Sequence, residues 1–152
     1  MRDFDFLFGD WNVHNERLTA RLVGSTDWET FEATNHCRSI LGGVGNTDEF
    51  ITSWNGGFRG ATLRLFDLGR KQWSIYWASN RTGVLEPPVV GSFENGLGTF
   101  FGRDSHQGTE VLVRFLWSDI TAATALWQQA FSTDDGRTWE TNWRMHFTRV
   151  AR

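Results

Sequence analysis

From Gly9 onward, apolar and polar residues alternate with a period of two, and no window of about eleven positions carries the i, i+3, i+4, i+7 spacing of an amphipathic helix. Such a chain makes strands and has no helix to lay over them. The clearest runs are Trp73 to Trp77, Val111 to Trp117, Ala125 to Phe131 and Trp139 to Phe147; in each, one parity carries large rings and the other mixes in polar groups. Turn residues separate the runs at Gly42-Gly43, Asn55-Gly56-Gly57, Leu68-Gly69, Thr82-Gly83, Asn95-Gly96, Gln107-Gly108 and Asp135-Gly136. The pattern predicts ten strands, near 9–21, 27–38, 46–54, 60–67, 71–79, 88–94, 98–105, 109–118, 123–132 and 138–149, with Asp3 to Phe8 as the only helical turn. A sheet without helical cover must fold over another sheet or close on itself, and closure alone removes the exposed edges. The expected fold is therefore all-β: one closed up-and-down antiparallel barrel of about ten strands over residues 1–152, with a short N-terminal helical turn.

Composition narrows the function classes. The formal charge of -3, from 15 basic and 18 acidic side chains, gives no positive field for a phosphate backbone, so nucleic acid is not an expected partner. No apolar run approaches the roughly 18 residues of a membrane span. The start Met1-Arg2-Asp3-Phe4 lacks the apolar stretch of a signal peptide, and the single Cys37 excludes an intrachain disulfide; both point to a cytoplasmic chain. Cys37 reads as a small buried hydrophobe. The 9 Trp and 13 Phe can together bury roughly 4,000 Å², more ring surface than one interior readily takes. Phe58 and Phe66 are accordingly expected at the surface, where they would make a homodimer contact.

Two motifs stand out. Ser132-Thr133-Asp134-Asp135-Gly136-Arg137-Thr138-Trp139 has the S-x-D-x-G-x-T-W pattern of the Asp-box hairpin turn, in which an aspartate accepts turn N–H groups and the Trp packs behind the turn. It occurs once, which reads as a structural turn and not a propeller blade. Gly9-Asp10-Trp11 opens the first strand directly after the helical turn, and Arg149 lies in the last. With this G-x-W and terminal Arg, the chain resembles the calycin superfamily of lipocalins, fatty-acid-binding proteins and nitrobindin-like barrels. Phe4 to Trp11, Trp73 to Ala78 and Phe131 to Phe147 resemble more closely a bacterial calycin-like family of unknown function. The resemblance implies that Arg149 covers Trp11 at the closed end of the barrel. It brings a fold and no catalytic residues.

It also implies a cavity. A dry void of about 400 Å³ would cost about 10 kcal/mol at about 24 cal/mol per Å³, so its wall should mix polar groups among the rings. By parity those groups are Asn15 and Arg17 with Trp11 and Val13, Gln129 between Trp127 and Phe131, and Thr141 between Trp139 and Trp143. The leading reading is a binding module for a small hydrophobic or aromatic molecule, with Trp77, Trp117, Trp127 and Trp143 as walls. Arg17 and Gln129 would orient its polar or acidic end. His14 and His36 join the set as polar neighbours on the first two strands, although strict alternation points both outward. The alternative is a small calycin-type isomerase, hydratase, cyclase or lyase using His14, His36 or Glu49 as proton carriers. A nitrobindin-like haem barrel would need His146 as axial ligand, and its parity faces solvent. No pair of histidines has zinc-motif spacing, and no motif calls for a cofactor.

Overall fold

The computed structural model describes residues 1–151. After a 3-10 turn at Asp5–Leu7, ten strands follow: β1 (Gly9–Leu18), β2 (Trp28–Ile40), β3 (Gly45–Ile51), β4 (Arg59–Asp67), β5 (Gln72–Ser79), β6 (Val89–Glu94), β7 (Leu97–His106), β8 (Thr109–Ser118), β9 (Thr124–Ser132) and β10 (Glu140–Arg149). Each pairs with its neighbours in sequence, and β1 closes antiparallel onto β10, from Trp11 opposite Arg149 to Arg17 opposite Trp143. The expected barrel forms because every strand alternates, and its inward parity is apolar enough to bury.

Two boundaries differ from the sequence expectation by three residues, the others by two or fewer. The first strand stops at Leu18, where the chain turns out and returns through the Thr19 N–H bond to Asp27 O. The third stops at Ile51, because Asn55 and Gly56 take positive φ in a short turn at Trp54–Gly57.

The rings fit inside better than their count suggested: of all Trp and Phe, only Phe101 is exposed. Phe58 is 9% exposed and packs among Phe50, Trp54 and Trp77, while Phe66 is half-buried against Trp73, with ring centres 5.2 Å apart. The expectation that these two are surface rings is therefore wrong, and the ring count no longer argues for a homodimer. Space was found in two places that strand parity does not count. Phe4, Phe6 and Leu7 plug one end of the barrel, with Phe4 edge-on to Trp73, Phe93 and Trp117. Trp28 and Trp139 lie half-buried on the outer wall beneath the Arg144 and Arg114 guanidiniums, 4.6 and 4.5 Å from the ring centres.

The plugged end carries the G-x-W arrangement. The Trp11 indole N–H donates to Leu7 O at 2.8 Å, and Arg149 lies 4.1 Å over the Trp11 ring. Its guanidinium donates to Phe6 O, Phe8 O and Ala122 O, satisfying carbonyls at the end of the 3-10 turn and in the β8–β9 connection. At the other end of the molecule's last hairpin, Ser132, Asp134 and Thr138 bond as an Asp box: Asp134 accepts from the Thr138 N–H and hydroxyl, and Gly136, at φ +87°, donates to Ser132 Oγ. Trp139 then packs outside, near Phe101.

Candidate functional site

Opposite the plug, the barrel opens into a cavity of about 320 Å³. Its wall comes from the inward parity of nearly every strand: Trp77, Val113, Phe115, Trp117, Trp127, Phe131, Trp143, Met145 and Phe147 supply apolar surface. Gly60 makes room for one of them, since a Cβ there would stand 2.0 Å from the Trp77 ring. Trp143 is fixed by its indole N–H, which donates to Asn15 Oδ1 at 3.0 Å, and Asn15 is itself fully buried.

Two arginines stand at the mouth. Arg17, on β1, lies between the rings of Trp54 and Trp143, at 5.2 and 5.3 Å. Arg21, from the β1–β2 connection, lies 5.4 Å from Phe131 and 5.9 Å from Trp143. Arg17 reaches one carboxylate, Glu29 Oε1, at 3.4 Å. The Nε of both arginines and Nη2 of Arg21 are buried without a protein acceptor. Burial first, and then the like charge of Arg17, bring the Arg21 guanidinium down to about 10; it remains a cation at neutral pH. Glu86, Asp104 and His106 complete the rim. Burial and the neighbouring Asp104 charge hold the Glu86 carboxyl above its ordinary range, with Arg21 pulling the other way.

The floor, next to the plug, is also polar. Arg64 and Asp48 form an ion pair at 2.8 Å, each about 95% removed from solvent, and Arg64 also donates to Asn46 Oδ1. The Arg64 guanidinium rests on Phe4 and Trp117, and buried Asn35 lies on β2, two positions from Cys37, the residue opposite Asp48.

Of the residues singled out in the sequence, Arg17, Trp77, Trp117, Trp127, Gln129 and Trp143 all line this cavity. The Gln129 amide donates to Asn142 Oδ1 at 2.8 Å. His14 and His36 do not join them. Both are exposed on the outer face, where their strand parity puts them, paired with Glu32 at 2.9 Å and Asp10 at 2.6 Å. Glu49 also faces out, and His146 pairs outside with Glu16. Thr141 is a further correction: a bulge between Thr141 and Trp143 leaves Thr141 opposite Ala130 on the outer face and brings Asn142 inside. Arg21, Asp48, Arg64, Glu86, Asp104 and His106 were missed. Asp48 shares the parity of Phe50, Arg64 that of Phe66, and Asp104 and His106 that of Phe100, so strand parity reaches four of the six, while Arg21 lies past the end of β1. Glu86 lies in a connection, where parity has no meaning. Among the described residues, no group of three His, Cys, Asp or Glu side chains is placed to hold a metal ion. No helix of the described residues is long and apolar enough to cross a membrane.

Among solved structures, the chain is similar to an S-type phycobiliprotein lyase, CPES, from Guillardia theta, with a TM-score of 0.62 over 98% of this chain and 91% of that chain. The fold is calycin-like. At 11% identity the likeness carries the ten-stranded closed barrel with its short N-terminal turn and nothing finer. No family model and no curated protein matches the chain.

Proposed function

We propose that the barrel binds a small hydrophobic or flat aromatic molecule whose acidic end sits between Arg17 and Arg21. One observation carries this: two guanidiniums at the mouth of an aromatic-walled cavity, sharing the Trp143 ring, with three buried N–H-bearing nitrogens that no protein group accepts. A carboxylate satisfies such donors and offsets the like-charge contact. Left dry, a void of 320 Å³ would cost about 8 kcal/mol, comparable to a domain's whole stability. Titrating tryptophan fluorescence with biphenyl-4-carboxylic acid, naphthoic acids and medium-chain fatty acids tests the reading. Binding that weakens about tenfold or more in Arg17→Ala supports it; no change with any member of the panel contradicts it.

A second reading, an enzyme in the isomerase, hydratase, cyclase or lyase group, is favoured by the rim. Glu86 and Asp104 face the cavity, and burial with the Asp104 charge holds the Glu86 carboxyl above its ordinary range, which suits Glu86 as a proton carrier. The similar fold of a protein described as a lyase points the same way. On this reading the proton carriers are Glu86 and Asp104 in place of His14, His36 and Glu49, and Glu86→Gln abolishes turnover of a bound acid without weakening its binding. Membership of the bacterial calycin-like family and a cytoplasmic setting are part of the proposal; the first rests on the Phe4 to Trp11, Trp73 to Ala78 and Phe131 to Phe147 segments, the second on a single, buried cysteine.

A further inference from the structure

The floor of the cavity has donors to spare and no net charge. Asn35 is 5% exposed and its Nδ2 has no protein acceptor; Arg64 is 4% exposed and its Nε has none either. Asp48, beside them on the cavity wall, supplies carboxylate oxygens. Because the Arg64 charge is already matched by Asp48 at 2.8 Å, the floor does not attract an anion as the mouth does. Burying a second carboxylate next to Asp48 would leave it without compensating charge. What the floor can satisfy is a neutral group that accepts from Asn35 and Arg64 while donating to Asp48.

We propose that the floor is a second recognition site, formed by Asn35, Asp48 and Arg64, for an amide-type edge: a carbonyl beside an N–H. The ligand is then a flat acid carrying an amide at the end opposite its carboxylate. This rests on the reading of the mouth as the acid site. Asn35 stands opposite Trp11 on β1, and Arg17 lies six positions further along that strand. That is about 20 Å of strand, or about 15 Å along an axis tilted by about 40°. Shortened by the reach of the two arginines, the span suits two linked rings with one group at each end.

Three acids decide it by fluorescence titration: biphenyl-4-carboxylic acid, its 4′-carbamoyl derivative, and its 4′-isopropyl derivative, which matches the amide in shape but makes no hydrogen bonds. The expected result is that the carbamoyl acid binds wild type about tenfold more tightly than the isopropyl acid. In Asn35→Leu that preference shrinks or reverses while the parent acid still binds. If wild type binds the isopropyl acid as tightly as the carbamoyl acid, the floor is only a structural ion pair and the inference is overturned, whatever the variant does. If none of the three binds, the acid reading of the mouth fails and takes this one with it.

Discussion

Arg17 and Arg21 are held in the cavity mouth at a cost to the folded chain, because two like charges share one indole and leave buried donors without acceptors. A residue that weakens the empty protein and strengthens the complex has a recognisable signature. Arg21→Met should leave thermal stability unchanged or slightly raised, while binding of biphenyl-4-carboxylic acid falls about tenfold to a hundredfold, as for loss of a charged hydrogen bond. Scanning calorimetry and fluorescence titration on the same sample read both. Cys37 illustrates the opposite case of a residue with no chemistry to offer. Burial, partly relieved by Arg64, pushes its thiol up to about 12, so it stays protonated across the neutral range. Alkylation by iodoacetamide at about pH 8 should be negligible in the native protein and should consume one thiol per chain in guanidinium; equal rates in both states would show an accessible thiolate. Such residues were legible to different degrees. Arg17 and Gln129 were visible because alternation alone places them beside rings, whereas Glu86 sits in a connection whose path depends on the whole barrel.

At the scale of elements, the two motifs hold opposite ends of the β9–β10 hairpin, and each makes a separate prediction. Arg149 joins β10 to the 3-10 turn and the β8–β9 connection through three carbonyls. Arg149→Met strands those acceptors and uncovers Trp11, and should destabilise by about 3 kcal/mol, or roughly 10 °C in Tm for a domain of this size. A Tm within about 2 °C of wild type would mean the clasp is dispensable. In the Asp box, bonds from the Thr138 hydroxyl and N–H and from Ser132 hold the Asp134 carboxyl down to about 2. Since the folded value is depressed, the contribution is complete above the ordinary value of 3.8 and drains away as pH falls towards about 2. The Tm gap between wild type and Asp134→Asn should therefore be widest at about pH 7 and narrower at about pH 3; a gap independent of pH contradicts this. Both motifs could be read from the sequence because each is local or anchored at a strand end. The bulge at Thr141 could not be, since it changes register without any glycine or proline to mark it, and one slipped residue exchanged Thr141 for Asn142.

Over the whole molecule, closure came from the count of alternating strands, but the cavity depended on where the surplus rings went. Counting ring area against one interior pushed Phe58 and Phe66 outward. The barrel accommodates them because the plug and the outer wall absorb other rings, leaving about 320 Å³ between two polar ends. The seam is uneven as well: β5 pairs with β6 only from Trp73 to Ile75, while its remaining length borders the 80–88 segment at the mouth, held by the Glu86 N–H on Trp77 O. The central claim is that this interior receives a ligand. The most direct measurement follows the indole N–H resonances in a nitrogen–proton correlation spectrum during titration with biphenyl-4-carboxylic acid. Saturable shifts of Trp77, Trp127 and Trp143, with Trp28 and Trp139 on the outer wall unmoved, are the expected result. No movement of any indole, or movement confined to Trp28 and Trp139, would contradict it.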